Sequence, residues 1–176
     1  MRIIAGQWRG RRIAAPPGKD VRPTLDRVRE AWMSIVQPYL VGAEVVDLFA
    51  GSGALGLEAL SRGAAIAHFV ERHAKTFAAL QQNVATLGAG SSAVLHRQDV
   101  FTFLRGAGEG EGEYDVAFAD PPYGGDDAAK LATLWLERPF AKLLGIEHDS
   151  RVALPGNPDA RRYGTTAISF FRQDDL

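Results

Sequence analysis

The chain contains no cysteine, which excludes disulfides, thiolate nucleophiles and cysteine-ligated zinc together. Any chemistry therefore falls to oxygen, nitrogen or a bound cofactor. The four histidines, His68, His73, His96 and His148, show no metal-ligand spacing, so no metal is expected and all four read as structural or surface residues. Long hydrophobic runs are missing as well. The apolar stretches of the basic N-terminus, MRIIAGQWRGRRIAAPPG, last only a few residues, too short for a signal peptide or a membrane span. A cytoplasmic protein with no membrane partner is the expectation.

Hydrophobic residues make up 46% and charged residues 23% of the 176 positions, a composition that suits one folded domain over residues 1–176 and not a disordered chain. A net charge of -1 hides an uneven distribution. Residues 1–30 carry eight Lys and Arg against three acids, a balance of +5, so the remaining 146 residues sum to -6. A basic arm on a mildly acidic body suggests a polyanion met at one end, although arginines also keep such a segment soluble.

Two extended pieces, 2–5 and 11–15, joined through glycine and closed by Pro16, Pro17 and Gly18, predict a β-hairpin arm within residues 1–23. Val28, Ala31, Trp32, Ile35 and Val36 then form the apolar stripe of an amphipathic helix, with Thr24 or Asp26 as N-cap and Pro38 past its end. Beyond it, strands at 44–49, 65–70, 93–96, 114–119 and 151–154 alternate with helices near 54–61, 75–87, 100–104 and 128–144. Residues 161–172 read as one or two further strands. This alternation predicts an α/β fold, a parallel sheet covered on both faces and built from right-handed βαβ units. Segment 106–113 (GAGEGEGE) reads as a flexible acidic loop without chemistry.

The first chemical motif is VVDLFAGSGALG, in which Gly51, Gly53 and Gly56 fit G-x-G-x-x-G between a strand and a helix. Glu71, twenty residues after Gly51, closes the next strand as an acid that holds a ribose diol would. A dinucleotide sets its pyrophosphate on the helix N-terminus. S-adenosyl-L-methionine has no phosphate and presents a cationic amino-acid end. Asp47, just before the loop, suits an ammonium group better than a pyrophosphate, and Asp99, after the third strand, is placed to accept from an adenine amino group. The competing reading makes these carboxylates helix N-caps, Asp99 above all.

The second motif is Asp120-Pro121-Pro122-Tyr123, directly after the strand YDVAFA. An exocyclic base amine is a poor nucleophile because its lone pair is delocalised into the ring. The Asp120 carboxylate and the Pro121 carbonyl can accept both N–H groups and draw the nitrogen toward tetrahedral geometry, with the prolines stiffening the pair. Tyr123 would stack on the base, which must therefore be unpaired or flipped. An ordinary turn after a strand is the plain alternative.

The stretches RIIAGQWRGRRI, RPTLDRVREA, DLFAGSGALGLEALSRGA, FVE, DPPY and RRYGTTAISF together resemble the RsmD-type 16S ribosomal RNA guanine-N2 methyltransferases over most of the chain. The tetrapeptide gives only the reaction class; RPTLDRVREA and the basic arm are the specific part. The resemblance implies a Rossmann-like class I methyltransferase fold, with a mostly parallel seven-stranded sheet and an N-terminal β-hairpin. It also implies S-adenosyl-L-methionine as donor and a guanine of 16S ribosomal RNA in the small subunit as acceptor. By motif, Asp47, Phe49, Ala50, Gly51, Ser52, Gly53, Glu71, Asp99 and Val100 hold the cofactor, and Asp120, Pro121, Pro122 and Tyr123 are catalytic. Arg22, Thr24, Arg27 and Arg29 border the site, and Arg9, Arg11 and Arg12 meet RNA. The resemblance implies an acid, often kept after the fifth strand; with that strand at 151–154, this chain departs from the pattern and reads ALPGNPDA there.

The expected reaction is direct transfer from sulfonium to guanine N2 by a monomer, on a small subunit whose ribosomal proteins help present the target. Three alternatives stand beside it. A DNA adenine or cytosine amino-methyltransferase shares DPPY but usually carries a target-recognition region. A nucleotide-dependent oxidoreductase shares the glycines but leaves DPPY unexplained. A non-catalytic RNA-binding assembly factor would not need residues 120–123. Trp32 and Trp135 read as core residues, and Trp8 as a packing residue or a base-stacking one.

Overall fold

The structure, a computed structural model, describes residues 1–15, 23–107 and 114–176, with no description of the Pro23 and Thr24 side chains. The PPG turn and residues 108–113 of the acidic loop lie outside it. Seven strands form a single sheet: β1 (Glu44–Leu48), β2 (Ile66–Val70), β3 (Ala93–His96), β4 (Tyr114–Ala119), β5 (Ala141–Asp149), β6 (Asp159–Tyr163) and β7 (Thr166–Arg172). Their spatial order is β3-β2-β1-β4-β5-β7-β6. The first five pair in parallel, whereas β7 runs antiparallel to both β5 and β6. Strand β1 is flanked on both sides, and every residue of EVVDL after Glu44 is buried.

Helices α1 (Pro23–Val36), α2 (Ala54–Ser61) and α3 (Ala74–Leu87) cover one face through Trp32, Leu57, Leu80, Phe69 and Phe118. Helices α4 (Val100–Gly106) and α5 (Asp127–Glu137) cover the other through Leu48, Leu104, Leu131 and Trp135. Among the described residues no helix is long and apolar enough to cross a membrane.

Three expectations need correction. The helix expected over 128–144 ends at Glu137, because Arg138 precedes Pro139 and takes an extended conformation (φ -146, ψ 93), the bias a following proline imposes. AKLLGIEHD then forms β5 beside β4, and 151–154 are not a strand. Helix α1 starts at Pro23, which needs no N–H at a first helical position, so Thr24 and Asp26 lie within its first turn. The arm, finally, is not a ladder of two strands. It closes on one antiparallel bridge, Arg2 to Arg12, where Ile3 N–H donates to Arg11 O and Ile13 N–H to Met1 O, while its flanking donors turn to the body: Ile4 and Ala5 N–H to Glu58, Trp8 N–H to Ser61 Oγ, and Ala14 N–H to Asn83.

Helix α2 lies so close to β2 that a Cβ on Gly56 would stand 2.4 Å from Phe69 Cε1, and Phe69 is fully buried. Gly56→Ala is therefore expected to destabilise the protein by about 1–3 kcal/mol through overpacking, despite a helix-propensity gain near 1 kcal/mol. Thermal unfolding checks this. An unchanged or raised Tm would mean that the helix can move off the sheet freely.

Candidate active site at the carboxyl ends of the central strands

Chain order reverses between β1 and β4, so their carboxyl ends open a crevice of the kind in which α/β sheets bind ligands. After β1 the backbone turns sharply. Phe49 is left-handed (φ 58), Gly51 (φ 58) and Gly53 (φ 89) follow, and α2 begins at Ala54. A non-glycine residue held at positive φ costs of order 1–3 kcal/mol, and here it sits where strand gives way to loop. Gly53 admits no side chain, since a Cβ would meet Leu80 at 2.6 Å.

The acids at the strand ends shape this loop. Asp47, 1% exposed, accepts from Gly56 N–H at 2.9 Å. Burial pushes its carboxyl well above the ordinary range, Gly56 N–H opposes this, and the nearby charges of Asp120 and Glu71 push it further up. Glu71 accepts from Gly51 N–H and from His73 N–H, each at 2.9 Å. Asp99 caps α4 through Thr102 N–H at 3.0 Å, so the N-cap geometry weighed for it is present, and its other oxygen lies 3.9 Å from Arg72. Val100, the first residue of α4, is buried, and Phe49 meets Phe101 edge to face.

On the opposite lip, Asp120 follows β4, its N–H directed at Leu48 O. Pro121 is buried and Pro122 exposed. Tyr123 is 52% exposed. Its hydroxyl donates to Glu147 Oε1 at 3.3 Å and lies 3.0 Å from Thr166 Oγ1. Burial, opposed by Thr166 and helped by the Glu147 and Asp120 charges, pushes the phenol up to about 12. Asp47, Glu71 and Asp120 thus gather on one crevice, as their strand-end positions suggest.

The arginines divide. Arg9, Arg12 and Arg27 are exposed. Arg11 is exposed too, but donates to Thr86 O at 2.7 Å, bracing the arm against α3. Arg29, placed at the border of the site by motif, is instead 6% exposed and donates to Arg2 O at 2.6 Å and Asp26 Oδ1 at 3.2 Å. It is a strut between α1 and the arm, and shows almost no surface to a partner. Arg22 and the Thr24 side chain lie outside the described residues.

Three residues with structural weight were not anticipated. Glu58, fully buried, and Ser61 anchor the arm to α2. Asn83, 1% exposed, accepts from Ala14 N–H and donates to both Ala14 O and Ser52 O, tying the arm to the glycine loop. The available signal was polarity out of place: Glu58 interrupts ALGLEALS, and Asn83 falls on the stripe of Leu80, Val84 and Leu87. The acid after the fifth strand also moves. With β5 at Ala141–Asp149, its last residues are Glu147, His148 and Asp149, and Glu147 faces the tetrapeptide.

A family model described as conserved hypothetical protein 95 matches residues 1–172. The chain is 45% identical over 123 residues to the ribosomal RNA small subunit methyltransferase D of Escherichia coli K12, a match covering 70% of this chain and 60% of that protein. It is 35% identical over 178 residues to the protein of the same name from Haemophilus influenzae, covering 98% and 92%. A solved structure from Thermus thermophilus, of a hypothetical protein, superposes with a TM-score of 0.86 at 31% identity over 98% of this chain and 99% of that one.

Proposed function

The chain belongs to the family of RsmD-type small-subunit ribosomal RNA methyltransferases, and we propose that it transfers methyl from S-adenosyl-L-methionine to N2 of a guanine in 16S ribosomal RNA. The observation that carries this reading is the placement of Asp120 to Tyr123 across one crevice from the glycine loop. The donor set suits that cofactor. Glu71 and Asp120 stand close enough to Asp47 for both charges to raise its pKa; such a cluster of acids repels a pyrophosphate and welcomes a sulfonium with its ammonium. This also speaks against the nicotinamide oxidoreductase.

Phe49, Ala50, Gly51, Ser52 and Gly53 would line the cofactor with Asp47, Glu71, Asp99 and Val100. When bound, the cofactor supplies an electrophilic methyl. Asp120 and the Pro121 carbonyl accept the two N2–H groups, Pro122 stiffens the turn, and Tyr123 stacks on the base. Asp120 then takes the surplus proton. Positioning accounts for most of the rate. The chain acts as one domain and as a monomer, on a partly or fully assembled small subunit.

The test is transfer of labelled methyl to unmodified small subunits and to free 16S RNA, followed by nucleoside analysis. N2-methylguanosine is the expected product. Absence of label on both, with cofactor still bound, would overturn the assignment.

The exposed Arg9 and Arg12 would meet phosphates. Replacing both with Ala is expected to weaken RNA binding and flatten its dependence on log salt by about 0.7–0.9 for each phosphate no longer neutralised. Cofactor affinity should stay unchanged. A salt slope equal to wild type would remove the arm from the interface.

A further inference from the structure

The tetrapeptide grips an amino group, but an amino group is common to guanine, adenine and cytosine. What separates them on the Watson–Crick edge is the ring nitrogen beside it: guanine presents a second donor, N1–H, whereas adenine and cytosine present an acceptor. A site built for guanine therefore needs an acceptor next to Asp120 and Pro121.

Glu147 occupies that place. Strand β5 pairs with β4 so that Ile146 lies opposite Ala119, which sets Glu147 beside the start of the tetrapeptide. Alternation along β5 puts Glu147 on the face of Gly145, whose α-carbon packs against Trp32 of α1. That is the face on which the arm also docks through Ile3 and Ile13, the side from which RNA would arrive. The carboxylate is half-buried and meets the Tyr123 hydroxyl at 3.3 Å, so it stands at the rim of the ring on which the base would stack. A carboxylate there accepts a donor and repels the lone pair of an adenine or cytosine ring nitrogen.

We propose that Glu147 is the specificity-determining residue that reads guanine N1–H beside the amino group held by Asp120 and Pro121. This rests on the guanine-N2 reading above. Glu147 also touches Tyr123, so an indirect role through that hydroxyl has to be separated from direct contact with the base.

Three proteins are compared on small subunits: Glu147→Gln, Glu147→Ala and Tyr123→Phe. Removing a charged hydrogen bond to a base edge is worth roughly 10- to 100-fold, so both Glu147 variants should lose that much kcat/KM. Both variants should stay folded and keep wild-type affinity for the cofactor, measured by calorimetry. Tyr123→Phe removes the hydroxyl that meets Glu147 and keeps the stacking ring, so its loss should be clearly smaller than that of either Glu147 variant. Equal losses in Tyr123→Phe and the Glu147 variants would overturn the proposal and make Glu147 a positioning residue for the ring. Glu147 variants with wild-type kcat/KM would overturn it outright. Failure of the underlying reading would show separately, as wild-type enzyme that leaves no methyl on guanine.

Discussion

Asp120→Ala is expected to lower the single-turnover rate of methyl transfer by about 100- to 10,000-fold, the range associated with losing an acid–base group and its positioning. Cofactor affinity should fall far less than the rate, since one of three attracting acids is lost while the loop from Phe49 to Gly53 stays held by Glu71 and Asp47 through Gly51 and Gly56. Affinity for the small subunit should persist, since the exposed Arg9 and Arg12 lie on the arm and Arg27 on α1. The variant should also relieve the crowding of negative charge at Asp47, to which Asp120 contributes. Rapid mixing of prebound cofactor with excess small subunits gives the rate, and calorimetry gives the affinity. Asp120→Asn separates the two roles of the carboxylate: it keeps an acceptor for one N–H but cannot take the proton at neutral pH. An Asn variant close to wild type would make Asp120 a hydrogen-bond acceptor only, and an Ala variant with normal rate would remove the tetrapeptide from catalysis.

Much of this crevice was legible in the sequence because the signals are local. A glycine pattern between an apolar strand and a helix, an acid at the end of the following strand, and DPPY after YDVAFA each depend on neighbours a few residues away. The error in the fifth strand arose where locality fails. Residues 128–136 carry a helical stripe and the apolar text resumes at once in FAKLLGI, and a short apolar run does not declare its period. The boundary is marked by the charged pair Glu137-Arg138 and by Pro139. Reading Pro139 as a breaker would have freed 141–149 for a strand and brought Glu147 to the crevice. Gly145 is intelligible only in three dimensions, since a Cβ there would stand 2.7 Å from the Trp32 indole nitrogen. The bonds made by Asp47 and Glu71 were beyond the pattern as well. Strand ends announce where acids stand, but not that their oxygens are partly committed to backbone N–H groups of the loop they border.

The least legible feature, the seating of the arm, carries the largest expected effect on stability. Glu58 is 0% exposed, and its carboxylate accepts from Ile4 N–H at 2.9 Å, Ala5 N–H at 3.0 Å and Arg62 Nε at 3.0 Å. Glu58→Ala would leave two backbone donors without an acceptor and strip a guanidinium with 10% side-chain exposure of its carboxylate, with only Gln37 Oε1 still accepting from it. Breaking a buried pair in this way costs about 3–5 kcal/mol, which for a chain of this size lowers Tm by roughly 6–20 °C. Glu58→Gln keeps shape and one acceptor and should cost less. Hydrogen exchange distinguishes a loosened arm from a weakened core. Amides of Ile3, Ile4, Ala5 and Ile13 should lose protection in Glu58→Ala, while those of β1 and β4 open only with global unfolding. Because Asn83 bonds both Ala14 and Ser52, release of the arm should also reach the glycine loop, and cofactor affinity should fall in parallel. If Tm falls while the arm amides stay protected, Glu58 serves the packing of α2. The seating of the arm would then rest on Ser61, Asn83 and the Arg29 strut.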